Sequence, residues 1–151
     1  MLSAFMAFLH HAAAFVLFGA LMVEMVLTRG ELDMNSARSL MRMDAAYGIS
    51  ALVLLVVGFG RVFHTEKGAA YYFGSAPFLI KLSLFVIAGL LSIQPTREFL
   101  SWRKAVREQR LPDFSGAKRR SIRTVIHVQL LLMIVIMLCA ALMARGIGFI
   151  G

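Results

Sequence analysis

The 151 residues are 60% hydrophobic and 16% charged, with a formal net charge of +8. The apolar residues fall into four long blocks with the dense charge confined between them, a distribution that excludes a soluble globular core and points to a bilayer as solvent. Nucleic-acid binding is excluded on the same ground: residues 96–123 hold nine Lys/Arg against three Asp/Glu, so six of the eight net positive charges sit in one connection.

A hydrocarbon core of about 30 Å needs about 20 helical residues to cross it. Blocks at about 2–27, 45–63, 77–95 and 122–144 meet that length and predict an all-α, integral membrane four-helix bundle forming a single domain over residues 1–151. The first block has no Lys or Arg before it and outlasts the apolar core of a secretory signal, so it is read as a span. Its apolar run stops at Thr28-Arg29-Gly30. Asn35 and Ser36 are the capping candidates for a short amphipathic segment carrying Leu40, Met41 and Met43 along the interface, before the second span begins near Asp44. The outer connection, 64–76, contains Lys67 and the pair Tyr71-Tyr72, suited to a headgroup boundary, and Pro77 starts the third span at its first turn. Pro95 interrupts or kinks that span, and a basic helical stretch containing Trp102 continues to about Gln109, read as lying on anionic lipid. Leu111-Pro112-Asp113-Phe114-Ser115-Gly116 is a flexible joint, after which Lys118-Arg119-Arg120 leads into the fourth span, closed at Arg145-Gly146.

The charge asymmetry orients the bundle. Cytoplasmic connections collect Lys and Arg, which puts 96–123 and 28–43 inside and both termini outside. The single cysteine, Cys139, lies in the fourth span, where it excludes an intrachain disulfide and reads as a small packing residue. No phosphate-binding glycine motif, Cys-x-x-Cys pair or Ser-His-Asp ordering is present as a local signature.

Ionisable side chains within spans carry the functional reading, because they are costly in hydrocarbon unless paired, snorkelled or used. With about 1.5 Å of rise per residue, His10 lies on the order of 10 Å, and Lys81 about 6 Å, below the outer boundary. His127 enters from the other side, roughly 15 Å from His10 in depth, so the two do not share a metal. Of the adjacent His10 and His11, the fourteen-residue spacing to Glu24 returns His10 to within about 40° of the Glu24 face and leaves His11 about 140° away. His10 is therefore the inward candidate, on a face with Ala14 and Leu17. Asp44, Gly48, Ala51, Leu55 and Gly58 form a small-residue stripe on the second span, open to two readings: a seam for close helix packing, or room for a flat macrocycle. Arg61 can snorkel or hold a carboxylate or propionate, and His64 is a reserve ligand. Lys81, facing inward, would serve as proton donor, amine ligand or counter-charge. At the cytoplasmic side Glu24, Arg42, Asp44 and His127 are candidates for a second polar cluster, with Arg42 pairing Asp44.

Phe8-Leu9-His10 with Gly19 downstream, and Phe78-Leu79-Ile80-Lys81-Leu82 opening the third span, resemble the HemJ-type protoporphyrinogen oxidases. Arg42-Met43-Asp44-Ala45-Ala46-Tyr47-Gly48, together with Gly58, Arg61, Lys67-Gly68 and Pro77, is similar to the core of a bacterial inner-membrane family catalogued as a domain of unknown function, and this second likeness covers nearly the whole chain. The oxidase resemblance implies haem b, with His10 as the iron ligand and Lys81 as second ligand or proton group; His10-His64 is the other ligand pair. It also implies porphyrin or quinol partners and a haem-dependent oxidoreductase activity. His11, and Ala12-Ala13-Ala14-Phe15 in place of an aromatic-rich stretch, depart from the oxidase pattern. The competing readings are a non-enzymatic membrane scaffold or assembly subunit, and a transporter using the ten methionines, which lack repeated Met-x-x-Met spacing. A homo-oligomer fits each of them.

Overall fold

The computed structural model describes residues 1–64, 68–148 and 150, with His64 and Gly68 described by backbone alone. Six helices follow in order: α1 (Leu2–Leu27), α2 (Met34–His64), α3 (Gly68–Phe73), α4 (Ala76–Ser101), α5 (Arg103–Arg107) and α6 (Gly116–Ala144). Four of them, α1, α2, the α4–α5 segment and α6, are long and apolar enough to cross a membrane. Lys67 lies outside the described residues.

The chain is an all-α membrane four-helix bundle, and its packing is that of a body solvated by lipid. Phe5, Phe8 and Phe15 of α1 point outward, Phe15 with 81% of its surface exposed. The core instead takes Ala13, Ala20, Ala37 and Ala88 with Leu17, Leu21 and Leu40. Lipid tails are as apolar as these side chains, so large residues gain little by turning inward, and small ones let helices approach. α1 packs chiefly on α2, and α4 on α6.

Three boundaries differ from the sequence expectation. The segment before Asp44 is not separate: α2 is one continuous helix from Met34, and Leu40 and Ala37 are fully buried in it. Pro95 does not end α4, which runs on to Ser101 with the proline buried inside it. α6 begins at Gly116, six residues early, so Lys118-Arg119-Arg120 is its first exposed turns rather than a lead-in. The proposed caps Asn35 and Ser36 are also corrected. Asp33 precedes α2 and accepts the Ser36 backbone N–H at 2.7 Å, while Ser36 Oγ accepts the Asp33 N–H at 2.8 Å, a reciprocal capping pair.

The Ser36 backbone N–H, helped by its hydroxyl, holds the Asp33 carboxyl below the ordinary aspartate range. Its folded value is thus lower than its unfolded value, so its contribution to stability is complete above the ordinary value of about 4 and is lost as pH falls through the folded one. Unfolding of wild type and Asp33→Ala in detergent should show a gap at neutral pH that narrows on acidification; a gap independent of pH refutes the ionised cap.

At the end where both termini lie, the tail closes over the α3–α4 connection. Gly148 C=O accepts the Ala76 N–H at 3.0 Å, and the Ile150 N–H donates to Gly74 C=O at 2.8 Å. Gly148 has φ +85°, and a Cβ there would stand 2.8 Å from Pro77 Cδ. Gly148→Ala should cost about 1–2 kcal/mol from the left-handed backbone alone. Faster hydrogen exchange at Ala76 and Ile150 is the expected readout, and unchanged exchange contradicts it.

At the opposite, basic end, Trp102 turns inward, which corrects the expectation that it lies on lipid. It is 2% exposed, against Phe99 and Phe114 at ring-centroid distances of 4.9 and 5.0 Å. Trp102 Nε1–H donates to Glu98 at 2.9 Å, and Glu98 pairs with Lys118 at 3.2 Å. Arg119 donates to Gly30 C=O at 2.9 Å and to Phe114 C=O at 3.1 Å, fixing the start of α6 to the end of α1.

Candidate functional site

The terminal half of the bundle brings together four of the five site residues expected from the sequence. His10 on α1 is half-buried, and its ring lies against Gly58 of α2: a Cβ at Gly58 would meet His10 Cε1 at 3.5 Å and Nδ1 at 3.8 Å. The close approach that the small residue permits is thus filled by the histidine ring. His10 Nδ1 is buried with no hydrogen-bond partner. Lys81 of α4 and Arg61 of α2 lie within electrostatic range of that ring. They are also in range of each other, with Cys139 of α6 near Lys81. Arg61 Nε is itself buried and unpartnered, and the Lys81 ammonium stands over the Phe78 ring at 5.3 Å. The fifth residue, His64, has its side chain outside the described residues.

The charge balance of this group is one-sided. Two cationic side chains from different helices face a histidine, and among the described residues no carboxylate acts on His10 or Lys81. Like charges held together in a low-dielectric region favour an anionic guest. His11, by contrast, is exposed and its Nδ1 sits 2.6 Å from Ala7 C=O, as expected for the outward member of the pair. The helix α1 face is otherwise shifted from the expectation: Ala13, not Ala14, is buried beside Leu17. Among the described residues no three His, Cys, Asp or Glu side chains gather into a metal-ligand group.

The second polar cluster exists with different members. Glu24 is 2% exposed and Asp44 is buried beside it on α2. Arg42 is exposed and does not pair with Asp44, which accepts the Thr96 hydroxyl from α4 at 2.8 Å. His127 turns outward and its Nδ1 sits 2.7 Å from Arg123 C=O, its own helix supplying the partner. The residue on α6 that enters the bundle is Gln129, whose Nε2 donates to Tyr47 Oη at 3.0 Å and to Ala88 C=O at 3.1 Å. Gln129 was not singled out from the sequence, and Tyr47 was noted only within the Arg42–Gly48 stretch, not as a member of this cluster. A polar amide within a long apolar block was the available signal, since in hydrocarbon an amide needs internal partners.

Gly48 and Leu55 also leave the expected α2 stripe: a Cβ at Gly48 would meet no neighbouring helix within 4 Å, and Leu55 is exposed. The buried face instead runs Ala37, Leu40, Asp44, Tyr47, Ser50 and Leu54. The small-residue stripe is therefore not a continuous buried face along α2, and at Gly58 the close approach it permits is taken up by the His10 ring.

No curated protein and no solved structure gives a significant match to this chain. A family model described as "Predicted membrane protein (DUF2214)" matches residues 2–148. With nearly the entire sequence matched, the chain belongs to the DUF2214 family of predicted membrane proteins.

Proposed function

We propose that this protein binds haem b at the terminal end of the bundle and acts as a membrane redox protein taking electrons from a porphyrin or quinol. The observation that carries the reading is the buried, unpartnered Nδ1 of His10, with the two cations Lys81 and Arg61 and, among the described residues, no carboxylate acting on it. An imidazole left without a protein acceptor is available to a metal, since a metal-ligating histidine uses one ring nitrogen for the ion. The residues present suit the group: His10 would supply a ligand to its iron, and Arg61 and Lys81 would be counter-charges to its carboxylates. When bound, the haem supplies one-electron chemistry. The chain's part is to hold the group and move a proton at Lys81 Nζ. The resemblance of the His10 and Lys81 segments to HemJ-type oxidases supports the same assignment.

A dithionite-reduced minus oxidised spectrum of protein purified from haem-replete cells tests it. Soret and α bands are expected, and a colourless, folded protein overturns the proposal.

A further inference from the structure

The basic half of the bundle contains a charge that the redox reading leaves unused. Glu24 is almost completely buried on α1, and its Oε1 has no hydrogen-bond partner. The one charge acting on it among the described residues is another carboxylate, Asp44 of α2. The groups brought by the neighbouring helices are Tyr47 from α2, Thr96 from α4 and Gln129 from α6, none of them cationic. Arg42 and His127, the basic residues expected in this cluster from the sequence, face outward.

Two carboxylates enclosed without a counter-ion repel each other and lack water to solvate them, an arrangement that breaking a buried pair shows to be strongly destabilising. The surrounding oxygens suggest what relieves it. Thr96 spends its proton on Asp44 Oδ1, which leaves its lone pairs free, and Tyr47 accepts from Gln129 and directs its own O–H to the Ala88 C=O at 3.5 Å. These hard oxygens do not suit a soft transition metal, and among the described residues two carboxylates with no third ligating acid fall short of the six or more oxygens that calcium or magnesium takes, which leaves a small monovalent cation. Glu24 lies three residues from the end of α1, about 4.5 Å of rise, so such a cation exchanges with the basic end of the bundle. We infer that Glu24 and Asp44 form an intramembrane site for one small monovalent cation, a proton or a sodium ion, shared between the two carboxylates.

Infrared spectroscopy of the full chain in sodium-free detergent buffer reads this site directly, through the C=O stretch of a protonated carboxylic acid, and does not depend on haem. A carboxylic acid band at neutral pH that is lost in Glu24→Gln is expected. In Asp44→Asn, which retains Glu24, the titration midpoint of that band should move, because the two acids share the cation. Addition of sodium chloride, against choline chloride as control, separates the occupants: a band abolished by sodium alone assigns a sodium site, and a band indifferent to both salts assigns a proton. Absence of any band at neutral pH overturns the inference, as does a band unchanged in Glu24→Gln or a midpoint unmoved in Asp44→Asn. Glu24→Gln is isosteric and needs no counter-ion, so it should fold at least as stably as wild type; circular dichroism checks this before the spectra are compared.

Discussion

His10→Ala protein from haem-replete cells is expected to lose the Soret and α bands entirely, whereas His11→Ala retains them. The two rings are adjacent, with centroids 6.2 Å apart, so a nonspecific effect of deleting an imidazole at this depth would strike both alike. Their surroundings separate them: His11 is exposed and held to its own helix, while His10 is turned to Gly58 between Arg61 and Lys81. Gly58 provides an independent lever. Its Cβ would lie at ordinary contact distance from the His10 ring, so Gly58→Ala should keep the bands, and Gly58→Leu, which adds branched bulk against the ring, should lose them. Equal bands in His10→Ala and wild type would remove His10 as the ligand whatever else binds.

The contrast between the two histidines was legible in the sequence because Glu24 supplied a second polar marker on the same helix. In a lipid-solvated helix the inward and outward faces are both apolar, so periodicity of hydrophobicity carries little information and only polar residues report which way a face turns. α1 has two such markers, fourteen residues apart, and its face was assigned correctly apart from a one-residue displacement at Ala13. α2 has Asp44 as its one acidic residue, and the path leading from it was drawn through small residues. The chain instead takes the next position on the other side, Tyr47, because Gln129 of α6 and the Ala88 carbonyl of α4 meet its hydroxyl there. A partner on another helix chose the face, and one sequence without its contacts does not reveal that choice.

The same limit explains the ends of the helices. Pro95 and the basic run 118–120 carry local signals for breaks, yet both lie inside continuous helices. Around Pro95, Gln94 reaches Ser121 of α6 at 2.7 Å and Thr96 reaches Asp44, so cross-helix bonds hold the segment on both sides of the proline. Neighbouring helices are what make prolines tolerable within membrane helices. Rise per residue is a property of any helix, and residues placed at similar depths in different spans come together: Lys81 and Arg61 lie within electrostatic range of His10.

Trp102→Ala is expected to cost about 3–5 kcal/mol, the range for removing a large aromatic from a packed core. An interfacial anchor would behave otherwise, since truncating a lipid-facing ring leaves the fold nearly untouched and changes stability by less than about 0.5 kcal/mol. The indole is enclosed by Phe99 and Phe114 and donates to Glu98, whose carboxylate also holds Lys118 at the start of α6. Trp102→Phe keeps most of the ring packing and gives up the N–H bond, so its loss should be smaller, on the order of 1–3 kcal/mol for a buried acceptor left short of a partner. Reversible unfolding in mixed micelles measures both. Trp102 is the only tryptophan, so fluorescence reports on this corner without labels. Wild-type emission should be blue-shifted and insensitive to iodide and to brominated lipid alike; efficient quenching by brominated lipid would return the indole to the membrane surface and remove the basis for the large stability loss.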